Sequence, residues 1–94
     1  MSENKLLHYK DFPLLRQGNI IYYGNITDKY IIMMQVMETK KIKDLDVASR
    51  VSIQLQHTDP NMTSKNRVVK KSEKKGLYEA MDLAYIWLTR ALNS

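Results

Sequence analysis

Residues 50–57, RVSIQLQH, alternate without a break: Val51, Ile53 and Leu55 are apolar, while Ser52, Gln54 and Gln56 are polar. A period of two is the mark of a strand with one buried and one wet face. Twenty residues earlier, residues 29–38 read KYIIMMQVME, with Tyr30, Ile32, Met34 and Val36 on one side and Ile31, Met33, Gln35 and Met37 on the other. Apolar residues on both sides mark a central strand, or a strand with one face against another subunit. Residues 19–25, NIIYYGN, are β-branched and aromatic, and Gly24, Asn25 and Asp28 supply turn chemistry before the next run. These two runs form an antiparallel hairpin. Residues 39–49, TKKIKDLDVAS, read as a connection with room for one helical turn capped by Asp44. After a turn at residues 58–61, residues 66–71, NRVVKK, make a short charged strand at a sheet edge.

The period then changes. Leu77, Ala80, Met81, Ala84, Tyr85, Leu88, Ala91 and Leu92 fall on one face at ~100° per residue. Glu79 and Asp82 come early and Arg90 late, as the helix dipole favours. Gly76 within the helix would cost ~1 kcal/mol relative to Ala, so the helix starts near Gly76 and runs to about Leu92. In residues 1–18, Leu6, Leu7, Tyr9, Phe12, Leu14 and Leu15 are apolar, but Pro13 interrupts any helix or central strand. The expected fold is α+β: a four-stranded antiparallel meander sheet followed by one C-terminal helix packed on one face (ββββα), with an irregular N-terminal arm. Residues 1–18 are the arm and residues 19–94 the single domain. In layout alone this is similar to some single-strand-binding modules such as the PUR repeat, and no motif accompanies the likeness.

The 94 residues contain no cysteine, which removes disulfides, thiol nucleophiles and cysteine-ligated zinc. The longest strongly apolar run, residues 30–37, is far short of the ~20 residues of a membrane span, and residues 1–10 carry no signal-like apolar run. The expectation is a cytoplasmic protein with no membrane association. Catalysis is not expected: His57 and Asp59 stand two apart in a turn, Ser52 and Ser64 lack a nucleophile context, and no metal-ligand spacing or glycine-rich phosphate loop is present. No catalytic residue, metal site or cofactor is assigned.

Two features stand out. The formal charge is +5, and Lys65, Arg67, Lys70, Lys71, Lys74 and Lys75, opposed by Glu73, account for all of it. Such a segment is either a lysine-defended sheet edge or an electrostatic footprint for an anion or nucleic acid. No aromatic residue lies between Lys65 and Gly76 to stack on a base. The second feature is surplus apolar surface: Leu83, Ile86 and Trp87 lie outside the helix stripe, and the strand at residues 29–38 has more apolar surface than one helix covers. The sequence therefore points to a small non-catalytic interaction module, a homodimer or the binder of another protein, with Leu83, Ile86 and Trp87 as the interface. The alternative is a nucleic-acid-binding module using residues 65–75.

Overall fold

Alternation in residues 50–57 sets the two faces of a sheet, and the rest of the chain is arranged about them. The computed structural model describes residues 7–93. The chain forms β1 (Leu7–Tyr9), β2 (Phe12–Gln17), β3 (Ile20–Tyr23), β4 (Tyr30–Ile42), β5 (Leu45–His57), a single turn α1 (Ser64–Arg67), β6 (Val68–Lys74) and α2 (Leu77–Leu92). The strands form one antiparallel sheet in the order β1-β2-β3-β4-β5-β6, and α2 packs on one side of it. The antiparallel sheet with a C-terminal helix is as the sequence reads, and β3 and β4 stand at its centre.

The sheet has six strands, however, where four were expected, and residues 7–17 supply the two extra strands in place of an irregular arm. Two tight turns bring them in. Gly18, at φ 60°, and Asn19 connect the paired residues Gln17 and Ile20. Lys10, at φ 55°, and Asp11 connect the paired Tyr9 and Phe12. Pro13 is accommodated because the β2–β3 ladder ends one pair earlier, at Leu14 and Tyr23. Only its carbonyl is used there, accepting from the Gly24 N–H at 3.0 Å. Leu6 lies outside the described residues. The likeness in layout to a four-stranded repeat goes with the strand count.

Residues 39–49 are likewise strand and not a connection with a helical turn. They extend β4 and β5 to 13 residues each, closed by Lys43 and Asp44 at φ 49° and 71°. The register shifts near Glu38, and beyond it only β4 and β5 pair with one another. In this outer ribbon Lys41 stands opposite Asp46 and Ile42 opposite Leu45. The charged strand begins at Val68, after α1, whose cap is the Thr63 hydroxyl accepting from the Asn66 N–H.

One face carries the core. Ile21 and Tyr23, Ile32, Met34 and Val36, and Val51, Ile53 and Leu55 are buried against Ala80, Met81, Ala84 and Leu88 of α2. Small side chains at Ala80 and Ala84, one turn apart, let the helix lie close to the sheet. Gly24 is required on two counts: φ is +119°, and a Cβ there would sit 3.0 Å from Leu88 Cδ2. Tyr23 ties the first hairpin to this core. Its hydroxyl donates to the Tyr9 carbonyl at 2.7 Å, and its ring meets Tyr9 at 5.9 Å and Phe12 at 5.6 Å.

Two outcomes follow from the core. Ile53 is fully buried, so Ile53→Ala will lower the free energy of unfolding by about 2–5 kcal/mol in urea denaturation. Burial, with smaller contributions from Tyr9, Tyr85 and Asp11, raises the Tyr23 phenol above its ordinary pKa. The unfolded chain then loses this proton first, so stability is intact below pH ~10 and falls above it by up to ~1.4 kcal/mol per pH unit. Tyr23→Phe will be less stable by about 1 kcal/mol at neutral pH, through loss of its hydrogen bond, but with a shallower alkaline decline. Equal alkaline slopes in the two proteins would contradict the assignment.

Candidate functional site

The face of the sheet away from α2 follows directly from the register. One cross-strand row runs Leu15, Tyr22, Met33, Gln54, Lys71, and the next runs Gln17, Ile20, Gln35, Ser52, Glu73. Among the described residues no element packs over these rows. The first row runs from apolar on β2 to β4, through an amide on β5, to a charge on β6, while the second carries the amides Gln17 and Gln35 on either side of Ile20. Tyr22 and Met37 are exposed, and Leu15, Ile20 and Met33 half-buried. Near the turn end of β3, Pro13, Leu15, Tyr22, Ile26 and Ile31 line a depression of about 390 Å³. Gln56 donates to Gln54 Oε1 at 2.7 Å, so the two amides on β5 hold each other. Charges at the margin are offset: Lys71 is followed by Glu73 on the same face, and Arg50 lies 3.9 Å from Glu73 and 3.8 Å from Glu38.

The six cations of residues 65–75 do not share one surface. Lys65 and Arg67 belong to α1, and Arg67 is half-buried with Nη2 donating to the Met62 carbonyl at 3.1 Å. Lys71, opposite Gln54, lies on the open face. Lys70 and Lys74, opposite Leu55 and Val51, lie on the helix side, and Lys75 is exposed just before α2. The period of two in β6 divides the charge between the faces.

Of the three helix residues expected at an interface, Leu83 and Trp87 are half-buried and pack against the core, and Ile86 is exposed. Trp87 leans over β6, where Lys70 Nζ stands 5.6 Å from its ring centroid. Tyr30, Leu55, Val69, Lys70, Trp87 and Arg90 surround a pocket of about 260 Å³ at the C-terminal end of α2. Tyr30 also meets His57, its register partner, with ring centroids 4.9 Å apart and planes at 36°. The basic segment therefore has aromatic company after all, drawn from β4 and α2. Residues 65–75 themselves hold no aromatic residue, and the signal in the sequence is the position of Trp87 off the main helix stripe.

His57 and Asp59 are engaged separately, His57 with Tyr30 and Asp59 as acceptor for the Asn61 N–H. Asp82 accepts from the Tyr9 hydroxyl at 3.1 Å. Among the described residues there is no group of three acidic or histidine side chains placed to hold a metal ion, and no helix long and apolar enough to cross a membrane. Comparison with protein families, with curated proteins and with solved structures finds no match to this chain.

Proposed function

We propose that the protein is a small, non-catalytic interaction module that acts as a homodimer through the open face of its sheet. The observation that carries this reading is the uncovered apolar row Leu15, Tyr22 and Met33 across β2 to β4, with Ile20 and Met37 beside it and Gln35 between them. Contiguous apolar surface of this kind marks an interaction site in a monomeric fold. Charge favours a second copy as the occupant. The chain is strongly basic, yet the charges bordering this face cancel, so two copies meet there without like-charge repulsion. Size agrees as well. Five strands at ~4.8 Å and about six residues of ~3.3 Å each give a projected face on the order of 500 Å². Side-chain relief brings the accessible area toward the ~800 Å² that each partner buries in a standard interface. The depression at Pro13, Leu15 and Tyr22 offers a pocket for an apolar anchor from the other copy.

The alternative, a nucleic-acid-binding module using residues 65–75, draws support from one contact, Lys70 over Trp87.

Size-exclusion chromatography with light scattering will give twice the 11.0 kDa chain mass. Met33→Glu places an unpaired charge in the buried band, which costs about 3–5 kcal/mol and raises the dimer Kd by more than ~100-fold. Tyr22→Lys, at an exposed position, will do the same with the monomer fold intact by circular dichroism. Ile86→Glu on the helix will leave the dimer unchanged. A dimer that survives Met33→Glu but dissociates on Ile86→Glu moves the interface to α2, and a wild type that is monomeric at high concentration removes the proposal.

A further inference from the structure

We infer that the pocket between Trp87 and Tyr30 binds a nucleotide unit, its base ring against the two aromatic walls and its phosphate on Lys70 and Arg90. The fold assembles this site from four separate stretches. Tyr30 opens β4, Leu55 lies near the end of β5, Val69 and Lys70 belong to β6, and Trp87 and Arg90 to the last turns of α2. Tyr30 and Trp87 supply aromatic lining, Leu55 and Val69 apolar lining, and Lys70 and Arg90 two cations. No carboxylate lines the pocket.

Each part suits a ring joined to a phosphate. Any base has a π-face, so aromatic walls bind by stacking with little regard to sequence. Arg90 is an exposed guanidinium whose planar fork matches phosphate oxygens, and Lys70 adds an exposed point charge. The volume, about 260 Å³, lies just below the ~300 Å³ at which pockets begin to enclose a whole drug-sized molecule, so the site admits one ring with its substituent.

The site is also preorganised. The Tyr30 ring packs against His57, and the strand register fixes that pair. Lys70 Nζ already stands 5.6 Å from the Trp87 ring centroid, so a cation and an aromatic ring lie within the reach of one nucleotide. The register of β6 against β5 skips a residue here: Leu55 pairs with Lys70 and Gln56 with Val68, which leaves Val69 unpaired and exposed at the pocket edge. Bulges re-aim side chains in this way and recur beside functional sites.

The same chemistry is offered by a free nucleoside monophosphate and by one nucleotide of a single strand. Trp87 is the only tryptophan, so its fluorescence reports stacking directly. The full chain is titrated with adenosine monophosphate, uridine monophosphate, a short single-stranded DNA, a short single-stranded RNA and poly-glutamate, the last as an anion without rings. The expected result is saturable quenching by a nucleotide probe and none by poly-glutamate. Quenching by the monophosphates identifies a free nucleotide as ligand, and quenching by the oligonucleotides alone identifies a strand. For a strand held by Lys70 and Arg90 the slope of log K against log salt will be about −1.4. Lys70→Gln and Arg90→Gln are exposed substitutions that leave the fold intact, and each will weaken binding several-fold. Tyr30→Leu will weaken it about 10-fold or more, and Tyr30→Phe will retain it. The site lies on the opposite side of the sheet from the proposed dimer face, so Met33→Glu will bind the probe as wild type does whether or not the dimer exists. Absence of saturable quenching by every nucleotide probe, equal quenching by poly-glutamate, or binding unchanged in both Lys70→Gln and Arg90→Gln overturns the inference.

Discussion

A single helix has to cover a six-stranded sheet, and it is too narrow to do so. At 16 residues α2 is ~24 Å long and, with its side chains, roughly 10 Å wide. Six strands at ~4.8 Å make a sheet about 29 Å across. The helix therefore lies over β4 and β5 and reaches β6, and the rest of the same face draws on other side-chain material. On the β1 side that material is aromatic: Tyr9, Phe12, Tyr23 and Tyr85 pack edge to tilt, and Lys10 Nζ lies 4.6 Å from the Tyr85 ring centroid. On the β6 side it is Trp87 with Lys70. The opposite face has no such cover among the described residues. The Trp87 pocket arises where the helix runs out of width, and the open face lies on the side of the sheet that α2 does not cover.

How far the sequence discloses this depends on whether a feature is local. The helix is local: its stripe at Ala80, Met81, Ala84 and Leu88 is the buried stripe. So is the alternation of β5, where Val51, Ile53 and Leu55 are buried as their spacing requires. The first hairpin is less visible, because its turns at Lys10-Asp11 and Gly18-Asn19 include a lysine in the left-handed region, which carries no residue signature. Pro13 argues against a strand until one sees that the ladder stops beside it. The outer ribbon is hidden for the same reason as the first turn. Lys43 and Asp44 occupy positive φ where Asn-Gly would have announced a hairpin.

The site is the least legible part, since it belongs to no segment. Lys70, Tyr30 and Trp87 stand far apart in the chain and meet because β6 lies beside β5, β5 beside β4, and α2 crosses above them. The charge of residues 65–75 was plain, but its division between two faces depends on where β6 begins and on the skipped residue at Val69. A linear count of lysines cannot supply either.

The meander order also bears on how the chain reaches this structure. Every strand pairs with the strand that precedes or follows it, so the sheet can zip up by short loop closures from any of its hairpins. The helix comes after all six strands, and its buried residues have nowhere to go until β3, β4 and β5 are aligned. Before that moment the growing sheet presents apolar rows on both sides and an unpaired edge at β6. Lysines at 70, 71 and 74 then have a second use, as charges that discourage another unfinished chain from adding a strand during assembly.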